Sequence, residues 1–377
     1  MLGGRIKKSL TVLQVLPALQ GGGVERGTLE VAAELVRRGH RSLVVSAGGR
    51  LLPQLLAGGS EHISCPLGRK SLSSLRHIPR LRSLLKSAHV DIVHARSRLP
   101  AWMTWLAWSS MAATTRPRFI TTIHGLYSVN AYSAIMMKGE RVIAVSDVAR
   151  DYVLKHYPAI DPARLSVIYR GVDTAFYPRG FTPREAWLAD WHRRYPQLQG
   201  RYVITLPGRV GPRKGVFEFI ELIAGLKQAG HDVHGLVVGE IAKRDRNLAS
   251  RLNMAAKAAG IADAITLTGF REDIREIVSI SSAVVSLSRY PEAFGRTVNE
   301  ALSLGIPVAG YDHGGVGEQL ARHFPAGRVP FGDQAAMTER LASWMAAPPD
   351  MAEVQPYTLD EMLNKTIDLY QQIVAAP

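Results

Sequence analysis

Glu292 and Glu300 stand with seven residues between them in the stretch SRYPEAFGRTVNEALSLGIPVAGYDHGGVGE, residues 288–318. The stretch reads as strand end, Pro/Gly-rich loop, helix, strand and loop. Ala301, Leu302 and Leu304 give the helix an apolar face, and Gly305 stops it before the apolar run Ile306–Ala309. A rise of about 1.5 Å per residue allows the two carboxylates to stand up to ~12 Å apart. Paired acid/base work on one glycosidic bond uses separations of ~5–9.5 Å. The spacing instead suits two acceptors gripping hydroxyls at opposite ends of one long ligand. Between them Phe294 and Gly295 open a helix whose free N–H groups and positive dipole end favour an anion. Carboxylate, anion site, carboxylate is the order that a sugar, a diphosphate and a ribose need. A second anion site is written in PGRVGPRKGVFEFIELIAGLKQAG, where Arg209 and Lys214 lie in a Gly/Pro loop ahead of an apolar-faced helix.

Such groups need a scaffold, and the chain supplies one. It has 377 residues, enough for two domains. Strand and helix patterns alternate: strands at 10–16, 42–46, 62–65, 91–94, 119–123, 141–145 and 165–169 in the first half, with helices at 24–38, 51–56, 72–87 and 100–113. The second half repeats the alternation, with strands at 202–206, 233–239, 264–269 and 283–287, and helices at 247–259, 335–345 and 358–373. Residues 182–195 read as a linker helix. This pattern predicts an α/β fold of parallel sheets covered on both faces, with ligands beyond the carboxyl ends of strands. Gly21, Gly22 and Gly23 form a glycine loop before the first helix, but no dinucleotide fingerprint is present. Two strand ends carry polar groups, His94–Ala95–Arg96 and Thr122–Ile123–His124–Gly125, and Ser146 is a natural N-cap.

Composition narrows the partners. Lys and Arg number 46 against 32 Asp and Glu, giving a formal charge of +14 and a preference for anionic partners. No nucleic-acid recognition motif accompanies that charge. One cysteine, Cys65, rules out an internal disulfide and fits a reducing cytosol. The start of the chain, Met1–Ser9, is basic but lacks the apolar run of a signal peptide. Ala101–Ala113 is the most membrane-like run and is too short to span a bilayer, which takes ~20 apolar residues. No D-x-D string or Cys/His cluster suggests a metal, so no metal or cofactor is expected. In SLSSLRHIPRLRSLLKSAH, Leu75, Ile78, Leu81 and Leu85 form one stripe and Arg76, Arg80, Arg82 and Lys86 lie off it, after Arg69 and Lys70. Trp102, Trp105 and Trp108 recur in the next helix. Basic residues beside tryptophans resemble a membrane-surface patch, while a solvated basic face over a buried Trp stripe is the alternative.

EAFGRTVNEALSLGIPVA resembles the Glu–x7–Glu motif of retaining GT-B glycosyltransferases, especially glycosyltransferase family 4. The resemblance covers nearly the whole chain and is most specific at Arg209/Lys214 and Glu292/Glu300. It implies a GT-B fold: two Rossmann-like doubly wound domains facing across a cleft, at 1–180 (joined by the C-terminal helix 358–377) and 196–355. It implies donor-sugar contact by Glu292, ribose contact by Glu300, and diphosphate binding by Arg209 and Lys214 with Phe294 and Gly295 at the helix start. GGGVER resembles the family's N-terminal Gly-Gly loop, placing Gly22 and Gly23 near donor phosphates and acceptor. His124-Gly125 resembles the His-Gly near the donor sugar, and GFRED places backbone of Phe270 and Arg271 at the nucleobase. RGVD resembles the family's NGVD segment, but Arg170 replaces its Asn and takes no site role. The activity implied is metal-independent hexosyl transfer from a UDP- or GDP-linked sugar, without cofactor, to a glycan or glycolipid acceptor. Lipopolysaccharide core or O-antigen assembly at the cytoplasmic face of the inner membrane fits the basic surface, with peripheral contact to anionic lipid. A GT-B nucleotide-sugar epimerase, a soluble-acceptor enzyme and a basic nucleic-acid-binding protein are the alternatives.

Overall fold

The computed structural model describes residues 9–376 except 69–70, 243–244 and 246. Arg69, Lys70 and the first eight residues of the basic start therefore lie outside the described residues. The chain forms two compact units: everything up to Arg170 together with the segment from Asp360 on, and Gly171–Leu359.

The first unit carries a seven-stranded, all-parallel sheet. Its strands are β1 (Thr11–Val15), β2 (Arg41–Ser46), β3 (Glu61–Ser64), β4 (Ile92–Ala95), β5 (Arg118–Ile123), β6 (Arg141–Ala144) and β7 (Leu165–Val167). They lie in the order β3-β2-β1-β4-β5-β6-β7. The connecting helices are α1 (Gly23–Arg37), α2 (Leu52–Ala57), α3 (His77–Ser87), α4 (Arg98–Ser109), α5 (Ala131–Ala134) and α6 (Asp147–His156). Helix α6 begins where Ser146 was expected to cap it, the hydroxyl accepting from Ala149 N–H at 3.0 Å. The helix expected over 72–87 is instead a short 3₁₀ segment, Leu72–Arg76, running into α3.

The second unit repeats the plan. Its helix α7 (Glu185–Arg194) precedes β8 (Tyr202–Pro207), α8 (Val216–Gln228), β9 (Val233–Val238), α9 (Leu248–Ala258), β10 (Ile265–Gly269), α10 (Ile274–Ser279) and β11 (Ala283–Ser286). Then follow α11 (Arg296–Leu304), β12 (Val308–Tyr311), α12 (Gly314–His323), β13 (Arg328–Val329) and α13 (Gln334–Ala346). The strand order is β10-β9-β8-β11-β12-β13, again all parallel. The last helix, α14 (Leu359–Ala375), packs with the first unit. The segment read as a linker helix packs into the second unit: Trp191 is buried with Leu198, Val203 and Leu236, and stacks on Trp187 at 5.2 Å.

Both sheets are doubly wound, and in each the chain reverses direction across the sheet between the first and fourth strands. Ligands in such sheets bind beyond the carboxyl ends of strands at that switch point. The strands themselves are nearly continuous buried runs, such as Val233–Val238, because helices cover both faces. Helix α11 ends at Gly305 in the left-handed region, as its sequence predicted.

Candidate active site

At the switch point of the second unit, the loops after β8 and β11 line a cavity of about 410 Å³. It collects Arg209, Arg213 and Lys214 from the first loop and Ser288, Tyr290 and Glu292 from the second. Gly215 makes the approach of the two loops possible. It adopts φ +74°, and a Cβ there would stand 2.0 Å from the Leu287 carbonyl oxygen. Lys214 is thereby held beside Glu292, with Nζ 2.6 Å from Oε1. Ser288 Oγ donates to the same carboxylate oxygen, and His313 Nε2 lies 2.7 Å from the Ser288 carbonyl. The His313 ring stacks on Phe331. Burial pushes the Glu292 carboxyl up, but the charge and hydrogen bond of Lys214, the Ser288 hydroxyl and His313 outweigh it. The net result is a carboxyl below its usual range. The cavity thus presents a fixed carboxylate beside three cations, a place for hydroxyl and phosphate together.

The glycines of YDHGGVGE serve this loop. Gly314 (φ +60°) would carry a Cβ 2.8 Å from the Glu292 nitrogen, and Gly315 N–H donates to the Glu292 carbonyl at 2.7 Å. They let the start of α12 close on residues 291–294 and set the Glu292 backbone.

The remaining residues named in the second unit lie outside that cavity. Glu300 is buried on α11, with Oε1 3.7 Å from Arg296 Nε. Gly295, at φ 92°, is the N-cap of α11 and makes no side-chain cap, while Phe294 is buried against Tyr357. Arg271 spends its side chain on Asp273, its Nε donating at 2.8 Å, beneath a cation–π contact with Trp191. Phe270 remains exposed.

In the first unit Gly22, at φ 137°, is the N-cap of α1 and Gly23 its first residue. His124 follows β5 and meets Arg170, whose Nη2 is 2.6 Å from Nδ1. Burial, then Arg170, Arg96 and His94, hold His124 well below its ordinary range, so it is neutral. Sequence reasoning gave Arg170 no role, and the one signal was its departure from the Asn of the related segment. Arg96 was noted only as a polar group at a strand end. It is fully buried at the end of β4, with Nε donating to Gln14 Oε1 at 2.7 Å. His94 is buried, its two ring nitrogens 2.6 Å from Tyr370 Oη and from Thr122 Oγ1.

Arg76, Arg80, Arg82 and Lys86 are all exposed around α3. Leu81 and Leu85 are buried, but Leu75 is 46% exposed, off the stripe expected of it, because the 3₁₀ turn precedes α3. The tryptophans face inward more than outward. Trp108 is buried and donates to the Pro117 carbonyl at 2.6 Å, and Trp102 donates to the Tyr132 carbonyl at 3.0 Å. Among the described residues no helix is long and apolar enough to cross a membrane. Among them also, no group of three or more His, Cys, Asp or Glu is placed to hold a metal ion.

Comparison with known proteins bears on the fold and the family. Residues 21–176 match the model of Glycosyltransferase Family 4, and residues 189–359 that of Glycosyl transferases group 1. Among curated relatives, the chain is similar to alpha-maltose-1-phosphate synthase of Mycolicibacterium smegmatis, 27% identical over 75% of this chain and 79% of that one. The crystal structure of a glycosyltransferase from Rickettsia africae is 30% identical, covers 98% of this chain and 100% of its own, and superposes with a TM-score of 0.86. Anabaena HepE, solved in complex with UDP and glucose, is 18% identical over 96% of this chain and 99% of its own, with a TM-score of 0.81, and shares the fold. Family matches over both units, a doubly wound sheet in each, and a 30%-identical glycosyltransferase that spans nearly the whole chain show that it belongs to the GT-B glycosyltransferases related to family 4 and group 1, enzymes that transfer a sugar from a nucleotide-sugar donor.

Proposed function

We propose that this enzyme is a retaining, metal-independent hexosyltransferase that moves a hexosyl group from a UDP- or GDP-linked sugar to a hydroxyl of a lipid-linked glycan. The observation that carries the proposal is the Lys214–Glu292–Ser288 cluster at the second switch point. A carboxylate fixed at that place is an acceptor for sugar hydroxyls, and the cations beside it answer the diphosphate. In this reading Glu292 holds the donor sugar, Glu300 the ribose, and backbone at Phe270 and Arg271 the base. Gly22 and Gly23 serve the phosphates and acceptor, and Phe294 and Gly295 open the helix end toward the anion. The UDP bound in the related Anabaena structure supports a uridine or comparable nucleotide donor.

The chemistry is a front-face substitution. The bond between the anomeric carbon and the leaving phosphate oxygen breaks toward an oxocarbenium-like ion. The acceptor hydroxyl attacks from the same face and passes its proton to that phosphate oxygen. Arg209 and Lys214 stabilise the charge that develops on the diphosphate, with help from helix N-termini. His124, neutral beside Arg170, contacts the transferred sugar. The acceptor class rests on the exposed cations of α3, which suit the anionic cytoplasmic face of the inner membrane, and lipopolysaccharide core or O-antigen is the glycan of first choice. The test is donor hydrolysis across UDP-, GDP- and ADP-sugars with and without EDTA. Turnover of a UDP- or GDP-sugar that survives EDTA is expected. Strict metal dependence, or no turnover of any nucleotide sugar, overturns the proposal.

A further inference from the structure

The stretch from Ser288 to Glu292 is fastened at both ends by the segment after β12. Ser288 is buried, and its carbonyl oxygen lies 2.7 Å from His313 Nε2. A carbonyl oxygen only accepts, so Nε2 carries a proton and donates it there. At the other end the Glu292 carbonyl accepts the Gly315 N–H at 2.7 Å, and a Cβ on Gly314 would stand 2.8 Å from the Glu292 nitrogen. The His313 ring is itself held. It stacks on Phe331, beyond β13, with 4.4 Å between centroids and 24° between planes. Phe331 also meets Tyr311 of β12 edge-on at 5.7 Å, and is 56% exposed. With over half its surface in water, Phe331 adds little to the core, and what it covers is the imidazole face.

The carboxylate that this stretch carries takes two hydrogen bonds on one oxygen. Lys214 Nζ is 2.6 Å from Glu292 Oε1, and Ser288 Oγ donates to the same Oε1. Two donors converging on one oxygen fix the direction of the carboxylate. One alone leaves it free to turn about that contact, and a lysine on a flexible stem is the less directional of the two. The Ser288 hydroxyl keeps its aim only while its backbone stays in place. The Arg289 N–H ties the next residue to the Arg213 carbonyl at 3.0 Å, and His313 holds residue 288 itself. We propose that His313 is a positioning residue that, through Ser288, aims the Glu292 carboxylate at the donor sugar, with Phe331 keeping the imidazole in the plane that makes the bond. The inference rests on the reading of Glu292 as the group that holds that sugar. His313, Phe331, Ser288, Glu292 and Lys214 all belong to the second unit, so the arrangement is complete within one compact body. A supporting group one bond removed from the functional one is the ordinary way such a geometry is kept.

The test is calorimetric titration of the full chain with UDP and UDP-glucose, or with GDP and GDP-mannose where donor hydrolysis selects GDP. His313→Ala should lower the preference for the sugar-linked ligand about fivefold, less than the loss of one whole hydrogen bond to a charged group. Binding of the free diphosphate should stay within about twofold, because Arg209 and Lys214 are untouched. His313→Gln, which keeps a donor on a side chain of similar reach, should recover most of the preference. Ser288→Ala should cost about as much as His313→Ala, and the two together little more than either, since both act on one path. Phe331→Ala removes an exposed ring and should shift the preference the same way by a smaller factor. It stands in where His313→Ala does not fold. An unchanged preference in His313→Ala, an equal loss for both ligands, or full additivity with Ser288→Ala would overturn the inference. Glu292→Ala separates the two readings. If it lowers the preference while His313→Ala does not, only the positioning falls. If Glu292→Ala leaves the preference intact, the donor-sugar reading of Glu292 falls and takes the positioning with it.

Discussion

Lys214 cannot give its full charge to Glu292 and to a diphosphate at once, so Glu292→Gln should tighten binding of the free nucleoside diphosphate. The pair is 2.6 Å apart, with 33% of the lysine and 23% of the glutamate side chain exposed. A hydrogen bond to a charged group contributes about 1.5–3 kcal/mol, and partial exposure argues for the lower end. Releasing Lys214 at about 1.4 kcal/mol predicts a roughly tenfold lower Kd for UDP or GDP. Glutamine keeps the shape but offers a donor sugar hydroxyl a neutral acceptor, which forfeits a similar amount. The sugar-linked donor should therefore bind about as before. The preference for sugar-linked over free diphosphate should fall roughly tenfold in the variant and further in Glu292→Ala, which offers no acceptor. Calorimetric titration of both ligands reads the ratio directly. A double-mutant cycle sharpens it: in a Lys214→Ala background the gain for free diphosphate should vanish. An unchanged ratio, or a gain that persists without Lys214, refutes the placement of diphosphate and sugar on this pair.

Lys214→Ala alone should lower kcat/KM for the nucleotide-sugar donor about 100-fold or more, the scale of one preorganised charge donor, as steady-state kinetics would show. Glu300→Ala should weaken free nucleoside diphosphate and sugar-linked donor alike by calorimetry; a loss confined to the sugar-linked form would contradict its ribose role. His234 on β9 has no exposed surface, one nitrogen without a partner and its other bonded to Thr266 Oγ1 at 2.8 Å. Burial first, then Arg201 and Lys227 against Asp263 and Asp232, lower it to about 4. A lowered histidine stabilises the fold fully above its unfolded value near 6.5, and that stability drains as pH falls from there toward 4. About 3 kcal/mol should be lost, and His234→Gln should flatten the acid limb of urea unfolding curves; parallel limbs would count against it. The exposed cations of α3 should each contribute about 1 kcal/mol on an anionic surface. Purified protein should then sediment with anionic liposomes at low salt and release at high salt, and changing Arg76, Arg80, Arg82 and Lys86 to Gln should release it without loss of donor hydrolysis. Indifference to anionic liposomes would favour a soluble acceptor and leave the glycosyltransferase assignment standing.

What the sequence disclosed, and what it withheld, follows from the range of the forces involved. Strands buried on both faces, such as Val233–Val238, announce themselves because burial demands a run of apolar residues and allows little else. Gly305 and Ser146 likewise act within a turn of their own helices, so their roles were legible from neighbours alone. The meeting of Lys214 with Glu292 spans 78 residues and depends on a strand order that brings β8 beside β11. Spacing could propose each residue as a ligand; only topology could make them partners. Tryptophan periodicity in α4 left two readings open for a related reason. A recurrence every three residues marks a face, but whether that face meets lipid or protein depends on distant acceptors, here the carbonyls of Pro117 and Tyr132. Arg170 is the sharpest case. As a departure from a pattern it carried no positive signal, since its meaning requires Gly27, Met362 and His124, contributed by α1, α14 and the end of β5, to surround it. A residue whose three neighbours come from three distant segments is silent in the linear chain. Departures from a family motif are therefore worth tracing in the fold before they are set aside, because a buried charge costs several kcal/mol unless its surroundings are built for it. At Gly27, where a Cβ would stand 2.6 Å from Nη1, α1 leaves the space that the Arg170 guanidinium fills.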